Sequence, residues 1–434
     1  MGQNPASGLL SLRRRREIYR LCSVFDIVII EDDPYWYLQY PSANALSIAN
    51  RGRPVSANYP TNPGHNYNSG PRQKSSGFPF LDSLVPSYLH VDTDGRVVRL
   101  DTFSKTVAPG CRLGWITAQP AFVERILRIT ETTTQQPSGF VQCMIAELVM
   151  GPQSPDDGGQ GGSNDGSGWK VDGWVRWLEG LRGNYERRVK KVVTILEEGR
   201  FALRSAQRVE LDEFEPGRPD EEEAGEYQVI SKTQMYSFEY PMAGMFLWVH
   251  MQFETHPLFK KVDHERLALA FWILLTREPY RCLVAPGGFF SVTEELKKEK
   301  GWQYFRLCFA AVDEEELGKC SNGFVAGSKA FWETKKISEI DDILKDEDES
   351  TGAALQFDTM RVSIPPSATM DCCVEKATNT GTGFFGITSL LLIYEARIAR
   401  RPNGLATIMT LMTLSGTRHS IDDAFLIIPY SVHS

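Results

Sequence analysis

The sequence predicts an α/β fold with two or more domains. A helical pattern over residues 12–25 is followed by Asp26-Ile-Val-Ile-Ile-Glu31, a β-branched apolar run typical of buried strands. The run ends on acidic residues, and open α/β sheets place ligand contacts at the carboxyl ends of their strands. The chain has 434 residues, which is enough for at least two hydrophobic cores.

The composition argues against several classes of protein. Hydrophobic residues make up 42% and charged residues 24%, as in ordinary globular proteins. A net charge of −8 offers no basic surface, so we expect no nucleic-acid partner. No apolar run reaches the roughly 18 residues that a membrane span needs, and the N-terminus has no signal-peptide pattern. The eight cysteines show no metal-binding spacing, so we predict no metal site and a reducing, cytoplasmic location.

The first helix is predicted to begin after Ser11, which is a suitable N-cap. The basic run 13–16 is predicted to be exposed to solvent. The buried face of the helix is predicted from four apolar residues at spacings of three, one and three: Ile18, Leu21, Cys22 and Phe25.

Asp32-Asp33-Pro34-Tyr35 follows the first strand. Asp32 therefore lies where a ligand contact is expected in a sheet of this class. The alternative is that the two aspartates only begin a turn before the proline.

Lys105 lies between the next two predicted strands, Arg96–Leu100, which ends on Asp101, and Arg112–Thr117. A lysine amine can form an imine with an aldehyde cofactor. The neighbouring hydroxyls and Arg112, seven positions on, suit a phosphate group. The alternative is a solvated Ser-Lys loop before a Pro-Gly turn.

The remaining pattern predicts three regions: 1–170 as a large domain, 171–335 as a small C-terminal domain, and 336–434 as an atypical tail without an assigned role. Residues 41–86 look irregular and are predicted to be an insertion, 151–168 a low-complexity linker, and 210–226 an acidic insertion. Further helices are predicted from Pro120 and over 140–150, 171–206, 262–278 and 313–335. Further strands are predicted over 243–250 and 304–310, and residues 282–290 are predicted to be a strand that leads into a Pro-Gly-Gly turn.

Two more polar residues stand out. Arg306 lies inside the apolar strand Tyr304-Phe-Arg-Leu-Cys-Phe-Ala310, and Asn4 precedes a proline before the first helix. Taken alone, Arg306 could be an edge arginine with its head in water, and Asn4 could be only a cap.

Six stretches, in this order, together resemble one family: Gly-Gln-Asn-Pro, Ile-Glu-Asp-Asp-Pro-Tyr-Trp-Tyr-Leu, Leu-Asp-Thr-Phe-Ser-Lys, Pro-Gly-Cys-Arg-Leu-Gly-Trp, Ala-Gly-Met-Phe-Leu-Trp-Val and Phe-Arg-Leu-Cys-Phe-Ala. They are similar to the class I/II aminotransferases of fold type I, which depend on pyridoxal 5′-phosphate (PLP), and within these to the fungal aromatic amino acid and 2-aminoadipate branch. The resemblance covers roughly residues 1–335, less the insertions. It implies an aspartate aminotransferase-like fold with a large domain and a small α+β domain.

The resemblance also implies a role for each matching residue. Lys105 would bind the cofactor covalently and then carry a proton. Asp32 would keep the pyridine nitrogen protonated, and Tyr35 and Asn4 would hydrogen-bond the ring's phenolic oxygen. The implied phosphate ligands are Thr102, Ser104 and Arg112. Arg306 would bind the α-carboxylate of the amino acid.

The sequence departs from the family pattern in two places. Ala-Ser-Gly follows Asn4-Pro5 where the family usually has Thr-Gly, and the family's N-terminal strands and phosphate-binding turn have no counterpart. We therefore expect an incomplete large domain. The family's active sites form at a dimer interface, so we expect a homodimer if the protein is complete.

The expected activity is transfer of an amino group from an aromatic, 2-aminoadipate-like or kynurenine-like amino acid to a 2-oxo acid. One alternative is a catalytically inactive, truncated relative that serves as a binding protein. Another is a different PLP reaction, such as decarboxylation or carbon–sulfur cleavage, which would also use Lys105 and Asp32.

Overall fold

The computed structural model describes residues 2–59, 64–70, 74–150, 171–205 and 230–350, and the pairs 399–400, 406–407 and 427–428. The predicted linker 151–168 and the predicted acidic insertion 210–226 lie outside the described residues. None of the helices in the described ranges is both long and apolar enough to span a bilayer.

The helices of the described part follow in chain order: α1 Leu12–Val24, α2 Ala43–Arg51, α3 Pro79–Asp82, α4 Pro120–Thr132, α5 Gly139–Met150, α6 Asp172–Gly199, α7 His264–Thr276, α8 Glu294–Lys300, α9 Glu314–Glu333 and α10 Ile337–Ser350. The N-cap of α1 is confirmed, because the Ser11 hydroxyl accepts the Arg14 N–H at 3.2 Å. Pro120 is the first residue of α4, also as predicted.

The strands follow in the same way: β1 Ile29–Asp32, β2 Val97–Thr102, β3 Gly114–Ala118, β4 Phe201–Ser205, β5 Ile230–Gln234, β6 Tyr236–Phe238, β7 Phe246–Met251, β8 Ala285–Pro286, β9 Tyr304–Cys308, β10 Ala399–Arg400, β11 Ala406–Thr407 and β12 Ile427–Ile428.

The first sheet contains β1, β2 and β3. Strands β1 and β2 are parallel, with Asp32 opposite Leu100. Strand β3 runs antiparallel to β2, with Thr102 opposite Gly114, and its other edge pairs with β11 and β12. Because parallel strands end at the same edge, the last residues of β1 and β2, Asp32 and Thr102, lie near each other.

The second sheet has the order β6-β7-β9-β8 and is antiparallel. Alternate residues of β7, namely Leu247, Val249 and Met251, are buried in the main core, which also contains side chains of α7 and α9. The opposite face of β7 and β9 carries polar and aromatic side chains, Arg306 among them. The two-residue alternation thus gives this sheet one core face and one face that is available to a site.

The structure corrects the predicted buried face of α1. Leu21 is 60% exposed and Phe25 69% exposed, whereas Arg15 and Tyr19 are buried. Arg15 pairs with Glu31 of β1, and the Tyr19 hydroxyl donates to Asp92 at 2.9 Å. Polar partners under the helix therefore override the apolar pattern, and the prediction that the run 13–16 is exposed is wrong at Arg15.

Other differences are local. The region predicted to be irregular, 41–86, contains α2 and the short α3. The predicted strand 282–290 is reduced to β8, followed by a 3₁₀ helix over Gly287–Phe290. The long helix predicted over 171–206 ends at Gly199, and β4 follows it.

Candidate active site

Lys105 lies in a tight turn directly after β2. The turn is anchored by Phe103, whose N–H donates to Leu113 O at 3.0 Å and whose ring packs 4.9 Å from that of Trp115. Thr106, on the other side, is buried. Because both flanking residues are fixed in the interior, the half-buried Lys105 side chain is presented from a rigid turn rather than from a solvated loop.

The hydroxyls of this turn are ordered by one another. The Thr102 hydroxyl lies 2.9 Å from Ser104 Oγ and 3.1 Å from Leu113 O, and it accepts the Ser104 N–H at 3.1 Å. The Thr102 hydroxyl has one hydrogen, so it donates to only one of these two oxygens, while the Ser104 N–H bond to Thr102 fixes the two residues relative to each other. Thr102 thus orients Ser104.

Arg112 follows the 3₁₀ helix Pro109–Cys111 and has left-handed backbone angles, φ 47° and ψ 40°. Its side chain is exposed on the same connection as Lys105. A guanidinium at this position suits a phosphate.

Asp32 ends β1 and is exposed at the carboxyl edge of the sheet. Tyr35, three residues on, is buried, and the Lys105 amine lies 5.8 Å from the centre of its ring. The edge of Phe246 from the second sheet meets Tyr35 at 6.1 Å between ring centres. Tyr35 therefore connects the lysine turn to β7.

Arg306 stacks on the ring of Phe246. Its guanidinium carbon is 4.1 Å from the centre of that ring and 4.6 Å from the centre of Phe290. Burial lowers the pKa of Arg306 from its ordinary value, but an arginine stays charged at neutral pH. Within the described part of the chain, its buried Nε atom has no hydrogen-bond partner. A buried charged donor of this kind calls for an anionic ligand.

Asn4 completes this side of the site, because its Oδ1 accepts from Arg306 Nη1 at 2.9 Å. The segment before it packs closely on the turn that leads into β7. A Cβ on Gly2 would lie 2.7 Å from the Gly244 nitrogen, and Gly2 has a φ of +66°, so only glycine fits there. The first residues of the chain are thereby locked beside Arg306.

A buried charged cluster lies beneath the strand ends, and the sequence analysis missed it. It contains two arginines and three carboxylates, with all five side chains at most 7% exposed: Arg15, Glu31, Asp33, Arg99 and Asp101. The available signal was the alternation of charged with apolar residues in β2, where Leu100 stands between Arg99 and Asp101.

Opposite charges offset the cost of burial for Glu31 and Arg99 but not for Asp33 and Asp101, whose pKa values burial raises above their ordinary values. Burial by itself raises the pKa of Glu31, but the attraction of Arg99 and Arg15 outweighs it, so this pKa lies below its ordinary value. Burial likewise lowers the pKa of Arg99, but Asp101 and the other carboxylates raise it above its ordinary value.

Several known proteins are similar in sequence to part of this chain, although no family model matches it. An L-tyrosine:2-oxoglutarate aminotransferase of Tapinella panuoides is 35% identical over 258 residues, which make up 59% of this chain and 36% of that protein. An aromatic amino acid aminotransferase of Schizosaccharomyces pombe is 37% identical over 187 residues, 43% of this chain and 31% of that protein. The chain thus spans about a third of the length of these curated relatives.

A solved structure shares the fold. The crystal structure of the aminotransferase Aro8 from Candida albicans superposes with a TM-score of 0.53 and 28% identity, over 77% of this chain and 56% of that one. In sequence and in fold, the chain is therefore similar to fungal aromatic amino acid aminotransferases, whose fold is fold type I.

Proposed function

We propose that the protein is a PLP-dependent aminotransferase that moves the amino group of an aromatic amino acid to a 2-oxo acid. One observation carries the proposal. The Lys105 amine lies 5.8 Å from the centre of the Tyr35 ring, the Arg306 guanidinium, 201 positions further on, stacks on the ring of Phe246, and these two rings contact each other. A lysine and a carboxylate-binding arginine that are linked through one pair of rings suit amino acid chemistry.

The side chains around Lys105 fit pyridoxal phosphate by their chemistry. The site offers an amine for the aldehyde at Lys105, a carboxylate at Asp32 for the ring nitrogen, and the Ser104 hydroxyl and Arg112 for the phosphate. In this proposal Thr102 contributes to phosphate binding by orienting Ser104. When bound, the cofactor supplies an electron sink for the carbanion at the substrate Cα.

Each residue has one task in the reaction. Asp32 would hold a proton on the pyridine nitrogen, because a carboxylate stabilises the protonated form. Lys105 Nζ would accept the proton from the substrate Cα and would be the proton donor for the return step. Tyr35 and Asn4 would hydrogen-bond the cofactor's phenolic oxygen. The Asn4 carbonyl is already engaged by Arg306, which leaves the amide N–H groups as donors.

Arg306 orients the substrate. A carboxylate would give the buried Nε a partner and would form a paired contact with a guanidinium that Asn4 already holds in place. The rings of Phe246 and Phe290 on this guanidinium form an aromatic wall next to the substrate position. Together with the names of the relatives, this wall favours an aromatic amino acid; a kynurenine-like or 2-aminoadipate-like one fits the same carboxylate contact.

The proposal also covers the ligands of the protein, its oligomeric state and its location in the cell. The ligands are an amino acid and a 2-oxo acid, the expected oligomer is a homodimer, and the expected location is the cytoplasm. The chain spans between about a third and about half of the length of the curated relatives it matches, so its activity is a proposal that the following experiment tests.

The test is selective labelling of Lys105. The purified chain is mixed with pyridoxal phosphate, its near-ultraviolet and visible absorbance is recorded, and the adduct is reduced with borohydride and mapped by mass spectrometry. We expect an absorbance band with the label on Lys105, and loss of both in Lys105→Arg, which keeps the charge. Lys191→Arg is the matched control, because Lys191 is a partly buried lysine that binds Glu314 O elsewhere.

Transamination is then assayed with pairs of an amino acid and a 2-oxo acid. The sample is the protein mixed with pyridoxal phosphate but not reduced with borohydride. Turnover that requires both substrates supports transamination over decarboxylation or carbon–sulfur cleavage. Label spread over surface lysines, with no band, would contradict the proposal and would favour an inactive relative.

A further inference from the structure

Arg99 lies at the centre of the buried charged cluster, on β2. Its Nε and Nη2 donate to the two oxygens of Asp101, each at 2.7 Å, in the paired geometry that is specific to arginine. Its Nη1 lies 3.5 Å from Glu31 Oε2 and 3.6 Å from Asp33 Oδ2. One guanidinium thus connects β2 with two residues at the end of β1.

The residues that Arg99 contacts alternate along the chain with the proposed cofactor residues Asp32 and Tyr35. Besides Glu31 and Asp33, the guanidinium stacks at 5.0 Å on the ring of Trp36. Asp32 and Tyr35 lie between these three contacts in the sequence. Since successive strand residues face opposite sides of a sheet, Glu31 and Asp33 lie on the cluster's side and Asp32 lies on the other.

The same arrangement holds on β2. Arg99 and Asp101 face the cluster, and Leu100 and Thr102 face the opposite side. Asp101 immediately precedes Thr102, whose hydroxyl orders the Ser104-Lys105 turn. Arg99 therefore holds the residue before each of the two proposed cofactor-binding segments.

Glu31 is also bound by residues other than Arg99. Arg15 of α1 binds its Oε1, while the Ser87 hydroxyl and the Tyr88 N–H donate to its Oε2 at 2.5 and 3.1 Å. The Glu31 carboxylate is thus held independently of Arg99. The contact between Glu31 and Arg99 therefore fixes the position of β2 relative to β1.

We propose that Arg99 is a positioning residue that holds the β1 end carrying Asp32 and Tyr35 in register with the β2 end carrying Lys105, from the side of the sheet opposite them. The inference rests on the proposed function in one respect, that Asp32 and Lys105 both contact pyridoxal phosphate. Arg99 itself touches neither the cofactor nor the substrate.

The test compares Arg99→Lys with a matched control, Arg51→Lys. Each substitution keeps the charge and removes the planar fork of donors. Arg51 is equally buried, with its side chain 6% exposed, binds Glu197 at 2.7 Å and stacks on Phe238 and Tyr240, but it joins α2 to α6 away from Lys105. Both variants are expected to be less stable, so stability alone does not separate the two roles.

Two measurements separate them. In Arg99→Lys we expect the dissociation constant of pyridoxal phosphate to rise roughly tenfold or more, with borohydride label lost from Lys105, because small misplacements of reacting groups carry large penalties. Without any cofactor, we expect faster amide hydrogen exchange at 32–36 and 102–106. Arg51→Lys should change neither quantity beyond about twofold.

The outcomes are distinguishable. If the wild-type chain shows no selective label at Lys105, the proposed function fails, and the exchange comparison alone decides the positioning role. Equal exchange at both segments in the two lysine variants, or an unchanged dissociation constant in Arg99→Lys, would overturn the inference. If Arg99→Lys does not fold, Asp101→Asn replaces it, with faster exchange expected at 102–106 and not at 32–36.

Discussion

Arg306 is held by residues from three separate parts of the chain. Asn4 binds its Nη1 atom, Phe246 lies under the guanidinium on the neighbouring strand, and Phe290 covers it from a 3₁₀ helix. This arrangement fixes a planar cation without neutralising it. Among the described residues its buried Nε has no hydrogen-bond partner, so this donor is available to a ligand.

The first prediction concerns Arg306→Lys. Lysine keeps the charge but loses the fork and the stacking, so we expect the apparent dissociation constant of the amino acid substrate to rise about 10- to 100-fold, as for loss of a charged hydrogen bond. Binding is followed through the cofactor absorbance, and labelling of Lys105 should be unchanged. Arg53→Lys is the control, because Arg53 is 62% exposed and pairs with Glu239 at the surface. Unchanged substrate affinity would remove Arg306 from the site.

At the scale of the element, the approach of β3 to β2 determines where the lysine turn lies. Gly114 begins β3 opposite Thr102, and a Cβ on it would lie only 2.5 Å from the Asp101 carbonyl oxygen. This neighbour is backbone, so it cannot move aside as a side chain would. Glycine at this position is what allows the two strands to close behind Lys105.

We therefore predict that Gly114→Ala destabilises the protein by about 1–3 kcal/mol, because the extra methyl group forces the strands apart. Gly110→Ala, in the same connection, should change the free energy of unfolding by less than about 0.5 kcal/mol, since a Cβ there meets nothing within 4 Å. Urea unfolding of the two variants gives the comparison. Equal effects would mean that the connection, and not the strand contact, limits stability.

At the scale of the whole molecule, the segment that follows β1 is part of the core of the second sheet, whereas the strands of the first sheet pack in clusters of their own. Tyr35 and Leu38, which follow β1, are buried with Phe246 and Leu247 of β7. The backbone supports this contact, because the Gly244 N–H donates to Leu38 O at 2.9 Å. The end of the first sheet is thus fixed against the second, which places Lys105 and Arg306 beside the same rings.

The buried cluster links this arrangement to pH. Because the folded-state pKa of Glu31 is lowered, its contribution to stability is present above the ordinary value of 4.5 and is lost as the pH falls below it. At pH 7, Glu31→Gln leaves Arg15 and Arg99 short of a partner and should lower the free energy of unfolding by about 3–5 kcal/mol. The difference from wild type should shrink below pH 4.5.

Glu17→Gln is the matched control for this titration. Glu17 has its pKa lowered by Arg14 and Arg13, but it lies on the exposed side of α1. Exposed pairs contribute little to stability, so this variant should follow the wild type across the whole pH range. An equal loss in both variants would show that net charge, and not the buried cluster, sets the acid sensitivity.

Much of the local structure is determined by the sequence alone. The start of α1 at Ser11 and of α4 at Pro120, and the strand-turn-strand around Lys105, follow from caps, proline and apolar runs that act within a few residues. The motif order also predicts the family relationship and the fold class, because each motif is a short local pattern.

Only the tertiary structure decided the rest. It buries the Arg15 side of α1 rather than the Phe25 side, because Glu31 requires a charged partner beneath the helix. It joins Asn4 to Arg306 across 302 positions of the sequence and makes Arg99 the link between two strand ends. Hydrophobic periodicity predicts which residues of one stretch are buried. The pairing of buried charges depends instead on which strands become neighbours, and no single stretch of the chain determines that.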